Sequence, residues 1–123
     1  MRLPHEFRDR TNRFASSVVR LYVALPRARK EVQVLGHQLL RSGTSVAAHV
    51  REASRARSKP EFTSKINGAL QEADESQLWL ELLRDDCAIA SDELDGLWRE
   101  ADDLIRVCVS MAHKTARRRR EHE

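Results

Sequence analysis

The sequence contains few of the residues that mark stapled, membrane-spanning or β-rich proteins. Its only cysteines, Cys87 and Cys108, form no CxxC pair, so we expect no disulfide framework. Aromatic residues make up 5% of the chain, with 4 glycines and 3 prolines, a composition typical of helical proteins. The longest nearly uncharged apolar stretch, residues 107–112, is too short to span a bilayer. Residues 1–9 do not resemble a secretory signal, so we expect a cytoplasmic protein with reduced thiols.

The sequence also lacks the patterns of common catalytic and metal sites. None of its 5 histidines lies four residues from another histidine or a cysteine, and no Glu-x-x-His motif supplies a di-iron site. There is no glycine-rich phosphate loop. Cys108 lies on an apolar helical stripe that predicts a buried thiol, and Cys87 lies beside Asp85 and Asp86, whose charge disfavours a thiolate. We therefore expect no metal, no cofactor and no enzymatic activity.

The small net charge of +3 hides a strong segregation of charge along the chain. Residues 1–60 carry a net charge of +9, residues 61–105 carry −10, and residues 106–123 carry +4. A segregation of this size indicates either a polyanionic partner or assembly between copies of the chain. Composition alone leaves these alternatives open.

The spacing of apolar residues predicts an all-α fold of four amphipathic helices. Pro26 ends the first helix, Ser58 and Glu61 form a capping box for the third, and Ser91 caps the fourth. Short connections between such helices favour an antiparallel up-and-down four-helix bundle. We expect one domain over residues 1–116, a basic mobile tail at 117–123, and helices at about 6–25, 29–57, 59–86 and 91–116.

The second helix contains a run of small residues around Gly43. Small side chains allow two helix backbones to approach closely, whereas a glycine inside a helix costs about 1 kcal/mol relative to alanine. One interpretation is a close helix contact at Gly43. The alternative is a loop that divides this region into two short helices.

Helices two and three each carry a second seam opposite the core stripe. On helix two the seam is basic at both ends and small in the middle, and on helix three it is acidic and then apolar. A helix in a monomeric bundle needs only one apolar stripe. We therefore predict an oligomer interface, in which opposite charges favour a head-to-tail contact that can close into a ring; its residues are Arg41, Thr44, Ala48, Arg51 and Arg55, with Glu72, Glu75, Trp79 and Leu82. The alternative is that the carboxylates are solvated and Trp79 belongs to the core.

Basic residues near the end of helix one and in the C-terminal tail are candidates for phosphate binding. Such binding requires clustered cations but no particular spacing. The candidates are Arg20, Arg27, Arg29 and Lys30, with Lys114, Arg117, Arg118, Arg119 and Arg120. The arginines of helix two are further candidates, but the acidic seam of helix three competes for them and favours interface or salt-bridge groups. The arginine run has an alternative role as a solubilising helix end. Scarce aromatic residues argue against sequence-specific reading of bases.

Several motifs resemble the bacterial four-helix-bundle family of 23S rRNA intervening-sequence proteins. The resemblance covers nearly the whole chain, and His49 departs from the family's more usual small amide residue. Its motifs are Leu40-Arg41-Ser42-Gly43-Thr44-Ser45-Val46-Ala47-Ala48, Arg51-Glu52-Ala53, Ser58-Lys59-Pro60-Glu61-Phe62, Glu72-Ala73-Asp74-Glu75, Trp79-Leu80-Glu81-Leu82 and Glu100-Ala101-Asp102-Asp103-Leu104.

This resemblance implies a cytoplasmic bundle that assembles as a homopentameric ring. A related branch, the accessory variability determinants of diversity-generating retroelements, binds nucleic acid and a reverse transcriptase, which makes both candidate partners here. The leading hypothesis is an oligomeric, non-enzymatic accessory protein that binds RNA or DNA with weak sequence preference. The rival hypothesis is a structural or adaptor scaffold without a nucleic-acid role, and an enzyme with an unrecognised site is the weakest.

Overall fold

The computed structural model describes residues 3–121, apart from the side chain of Arg119, and these residues form four helices. The helices are α1 (His5–Ala24), α2 (Lys30–Ser54), α3 (Lys59–Asp85) and α4 (Asp92–Glu121). No strand occurs within the described range. The prediction of an all-α, four-helix protein is therefore confirmed.

Each helix packs mainly against its neighbours in the sequence. α2 packs on both α1 and α3, α3 packs on α4, and α1 and α4 share the smallest contact. Because the connections are short, one end of the bundle holds the end of α2, the start of α3, the start of α1 and the end of α4. The other end holds the α1–α2 and α3–α4 connections. We call the first end the basic end, because exposed cations from several parts of the chain lie there.

Gly43 lies inside one continuous α2 helix, so the alternative of a loop at this point is wrong. The glycine is buried where α2 meets Val18 of α1. A Cβ atom at Gly43 would lie 2.8 Å from Cγ2 and 2.9 Å from Cγ1 of Val18, closer than carbon atoms normally approach. The missing side chain therefore allows the two helices to pack at this distance.

Side-chain caps fix where α3 and α4 begin. Ser58 Oγ accepts a hydrogen bond of 3.1 Å from the Glu61 amide, and the Glu61 carboxylate accepts one of 3.3 Å from the amide of Arg57. Ser91 Oγ likewise accepts from the Leu94 amide at 3.2 Å. Each cap satisfies a backbone donor that has no partner within the helix.

The predicted tail is the one element that differs in kind from the prediction. α4 continues through Glu121, so residues 117–121 are helical rather than a separate segment after residue 116. Thr115, only 5% exposed, anchors this last part of α4. Arginine has a high helix propensity, and cations are favourable at the negative end of the helix dipole, so the arginine run extends the helix. Residues 122 and 123 lie outside the described residues.

None of the helices in the described range is both long and apolar enough to cross a membrane.

Candidate nucleic-acid interface

Cations from three helices come together at the basic end of the bundle. The end of α2 contributes Arg51 and Arg55, both exposed, and the connection to α3 contributes Arg57, whose side chain is 90% exposed. α3 begins here at Lys59. The end of α4 adds Lys114, Arg117, Arg118 and Arg120, all exposed.

Acidic residues neutralise only part of this cluster. The two segments 51–61 and 114–121 together contain 9 basic and 3 acidic residues. Arg57 lies 3.9 Å from Glu61 and Arg117 lies 4.0 Å from Glu121, distances that correspond to weak surface ion pairs. A clear excess of positive charge therefore remains at this end, suited to the evenly spaced phosphates of a nucleic acid.

The basic end exposes no phenylalanine, tyrosine or tryptophan among residues 3–121. Phe7 and Phe62 lie near it, but each is only 6% exposed. Tyr22 is partly exposed, but it lies towards the opposite end and forms a hydrogen bond with His37. Without stacking platforms, this surface can hold a phosphate backbone but has little means of distinguishing bases.

The other predicted phosphate-binding group lies at the opposite end of the bundle. Arg20 and Arg27 are exposed there, and Lys30 begins α2. The guanidinium of Arg29 has local partners instead, since its Nη1 donates to the backbone oxygen of Cys87 at 2.8 Å and its Nε pairs with Glu31 at 2.9 Å. The structure therefore divides the nine residues predicted to bind phosphate between the two ends of the bundle. For Arg119 it describes the backbone but not the side chain.

This opposite end is also the more acidic of the two. It holds Asp85 and Asp86 at the end of α3 and the first-turn carboxylates of α4, Asp92, Glu93 and Asp95. Hydrogen bonding from its own backbone amide and from Ser91 lowers the pKa of Glu93, which keeps it charged. These carboxylates offset the cations at this end, so it attracts a polyanion less than the basic end does.

Three of the five charged residues in the predicted interface seam pair within a single chain. Arg41 of α2 reaches α3, where Nη1 lies 3.1 Å from Glu72 Oε2 and Nη2 lies 3.0 Å from Glu75 Oε1. The Glu72 side chain is only 12% exposed, so this contact closes over it. The Thr44 hydroxyl donates to backbone oxygens of its own helix. Part of the charge segregation is thus used to join α2 to α3.

The apolar part of the seam remains partly exposed. Trp79 and Leu82 are half-buried, Trp79 packs against the core, and its Nε1 atom is buried without a hydrogen-bond partner. Ala48 is exposed. The most exposed large hydrophobic residues are Val19, Val23, Val34 and Leu78, at 41%, 61%, 54% and 46%. All four lie in the half of the bundle away from the basic end.

His49, which departs from the family pattern, packs between α2 and α3 above Gly68. A Cβ atom at Gly68 would lie 2.9 Å from the imidazole Nδ1, so the glycine makes room for the ring. Nδ1 is buried and lies 3.5 Å from Glu52 Oε1 without forming a hydrogen bond. The contacts of His49 are those of a packing residue.

The described side chains include no arrangement of three or more His, Cys, Asp or Glu residues that could hold a metal ion. Cys87 and Cys108 are free and buried, and burial raises the pKa of the Cys108 thiol to about 11. A thiol with so high a pKa is a poor nucleophile at neutral pH.

The connection before α3 and the start of α3 contribute cations to the basic end that the sequence patterns did not indicate. The sequence favours Arg51 and Arg55 as interface groups over phosphate ligands, and it gives no binding role to Arg57 and Lys59. The signal was present in the topology, because an up-and-down bundle places the end of α2, the start of α3 and the end of α4 at one end.

Comparison with known proteins agrees with this architecture. A family model described as 23S rRNA-intervening sequence protein matches residues 5–110. A similar solved structure is a protein of unknown function from the S23 ribosomal protein family of Bacteroides thetaiotaomicron, determined at 1.70 Å. The two are 34% identical with a TM-score of 0.78, over 86% of this chain and 97% of the other. Among curated proteins, none matches this chain.

Proposed function

This chain belongs to the 23S rRNA-intervening sequence protein family, and from this starting point we propose that it is a non-enzymatic, oligomeric protein that binds RNA or DNA. Its basic end holds the phosphate backbone with little preference for sequence. The family description connects these proteins with 23S rRNA, so a structured RNA is the first ligand to test. A nucleic-acid enzyme such as a reverse transcriptase is the protein partner that fits an accessory role.

The convergence of cations from three helices is the observation that supports this proposal. Arg55 is the C-cap residue of α2, Arg57 follows it in the connection to α3, and Arg120 comes from the end of α4, yet all three are exposed at one end of the bundle. Binding to phosphates by such groups releases counterions, so the logarithm of the binding constant falls by about 0.9 per phosphate contact for each unit of log salt. Three contacts predict a decrease of about 40-fold between about 50 and 200 mM salt.

The test compares two triple variants with the same change in charge. One carries Arg55→Gln, Arg57→Gln and Arg120→Gln at the basic end, and the control carries Arg27→Gln, Lys30→Gln and Arg99→Gln, all exposed in the opposite half of the bundle. Fluorescence anisotropy with short mixed-sequence RNA and DNA duplexes would give the binding constant at each salt concentration. We expect the first variant to bind weakly with a shallower salt dependence and the control to match the wild type. Equal losses in both variants, or no binding by the wild type at low salt, would refute the proposal.

Self-association in a ring is part of the proposed function. Exposed Val34 and Leu78, beside half-buried Trp79 and Leu82, offer apolar surface away from the basic end. In a head-to-tail ring whose axis runs along the bundles, every basic end faces the same side. The family resemblance suggests five subunits. Light scattering coupled to size-exclusion chromatography measures the number of subunits directly. A single mass of 14.2 kDa at micromolar concentration would refute self-association.

A scaffold without a nucleic-acid role is the second candidate. The pairing of Arg41 with Glu72 and Glu75 favours it, because this contact shows that charge segregation can serve to hold helices together. Under this alternative the wild-type protein still associates but does not bind the duplexes at low salt. The anisotropy experiment therefore distinguishes the two candidates.

A further inference from the structure

A groove runs between α1 and α4, the helix pair with the smallest contact in the bundle. It encloses about 550 Å³, and its floor is formed by the buried side chains of Phe14, Leu21 and Leu97. Arg13 and Arg20 line the α1 side. Towards the basic end the groove closes where Arg10 pairs with Glu100 at 2.7 Å.

Gly96 on the α4 side of this groove has no explanation within the chain. It lies inside a helix, where glycine costs about 1 kcal/mol relative to alanine. At Gly43 that cost is offset by a close contact with α1, but a Cβ atom at Gly96 would meet nothing within 4 Å. A glycine facing open space in a groove is what a close approach from another molecule requires.

α3 carries an exposed ridge of matching character on a different side of the bundle. Leu78 is 46% exposed on the outward side of α3, with half-buried Leu82 one turn further along. Asp74 and Glu81 flank Leu78 on the same side of the helix, four residues before it and three after it. We call these four residues the Leu78 ridge.

We propose that the α1–α4 groove of one copy receives the Leu78 ridge of a second copy. The inference rests on the self-association proposed above and identifies the two surfaces that meet. Because the groove and the ridge are different surfaces, the contact is heterologous, and each subunit can use one to bind the preceding copy and the other to bind the next.

Charge spacing supports the second copy as the occupant of the groove. Asp74 and Glu81 are seven residues apart, as are Arg13 and Arg20, so both pairs span two helical turns. α1 and α3 run in the same direction in an up-and-down bundle, so copies in the same orientation bring the acidic pair alongside the basic one. The facing wall carries two carboxylates: Glu100, which pairs with Arg10, and Glu93, which accepts a hydrogen bond from Ser91. We therefore expect the acidic pair of the ridge to lie along the α1 wall, beside Arg13 and Arg20.

The positions of both surfaces also fit a ring in which all copies have the same orientation. The groove is lined by the later part of α1 and the first turns of α4, and the Leu78 ridge lies in the later part of α3. All three regions belong to the half of the bundle away from the basic end. The contact therefore leaves the basic ends uncovered.

Blocking each surface separately provides the test. Gly96→Gln fills the groove with a side chain that a helix tolerates, and Leu78→Asp places a charge on the ridge. The controls are Ser110→Gln on the exposed side of α4 near the basic end and Val23→Asp on α1, at a residue that is 61% exposed. Helicity measured by circular dichroism verifies that each variant folds.

We expect each blocking variant to have the mass of one chain by light scattering and both controls to keep the wild-type mass. An equimolar mixture of the two blocking variants should form a dimer, because the intact groove of one can receive the intact ridge of the other. Blocking variants that keep the wild-type mass would refute this interface and leave self-association standing. A mixture that stays monomeric would also refute the heterologous contact, and a monomeric wild type would refute both proposals.

Discussion

Replacing Gly43 by alanine tests how closely α1 and α2 pack. The new methyl group would lie within 3.1 Å of three Val18 atoms, including its Cβ. Val18 is fully buried and β-branched, so it cannot move its side chain aside by changing rotamer without a new clash. Helix α1 itself must shift to accommodate the change.

Two opposing contributions determine the size of the effect. Alanine is better than glycine inside a helix by about 1 kcal/mol, whereas overpacking a well-filled core costs about 1–3 kcal/mol. The free energy of unfolding should therefore fall by about 0–2 kcal/mol. Because the two contributions nearly cancel at the lower limit, this substitution alone is a weak test.

Gly96→Ala isolates the packing contribution. It changes helix propensity by a similar amount, but its Cβ atom meets nothing within 4 Å. We expect it to stabilise the subunit by about 1 kcal/mol, so the two variants should differ by about 1–3 kcal/mol. Urea unfolding followed by circular dichroism measures this difference, which corresponds to about 1 M in the midpoint at a typical denaturant dependence.

Two further measurements make the comparison decisive. Unfolding at two protein concentrations separates subunit folding from association, since only association depends on concentration. Val18→Ala, which removes both methyl groups near Gly43, should make the Gly43→Ala change favourable when the two are combined. Equal stability changes for Gly43→Ala and Gly96→Ala would refute the proposed role of close packing at Gly43.

Three other predictions concern the cap of α3, the α2–α3 ion pairs and a buried thiol. Ser58→Ala removes the acceptor for the Glu61 amide and should lower the free energy of unfolding by about 1 kcal/mol in urea, whereas Ser58→Asn should retain most of it. Arg41→Gln leaves the mostly buried Glu72 without its cation. The free energy of unfolding should fall by about 1–2 kcal/mol, a value between those of typical surface and buried ion pairs, and the mass measured by light scattering should not change. Burial raises the pKa of Cys108 from 9.0 to about 11. Between these pH values the thiol ionises in the unfolded chain but not in the folded one, so the free energy of unfolding should fall as the pH rises. This fall should be steeper in the wild type than in Cys108→Ala by about 1 kcal/mol per pH unit. A slope that is the same in both proteins would exclude Cys108 as the cause.

The helices were predictable because each carries a periodic apolar stripe and three of the four also carry a signal at one end. Pro26 follows directly after the C-cap residue of α1, and Ser58 and Ser91 make the expected capping hydrogen bonds. Such signals act within a few residues, so they can be read without knowledge of the rest of the fold. The observed bounds accordingly lie close to the predicted ones, apart from the ends of α2 and α4.

The partner of a helix face was not predictable in the same way. Periodicity correctly grouped Arg41 on one side of α2 and Glu72 and Glu75 on one side of α3, but it does not state which molecule supplies the opposite face. The structure pairs these groups within the chain. Conversely, the groove beside Gly96 depends on two helices that lie far apart in the sequence and share the smallest contact, which no local pattern encodes.

The separation of the two surfaces has a consequence for how assembly and binding combine. If the contact between copies lies in one half of the bundle and the cations lie at the other end, association adds basic ends without covering any of them. A polyanion long enough to reach several basic ends then binds them at a high effective concentration, so weak individual contacts add up to a stable complex. The modest net charge of +3 is sufficient under this arrangement, because most of the acidic residues lie away from the basic end, the surface proposed to bind the nucleic acid.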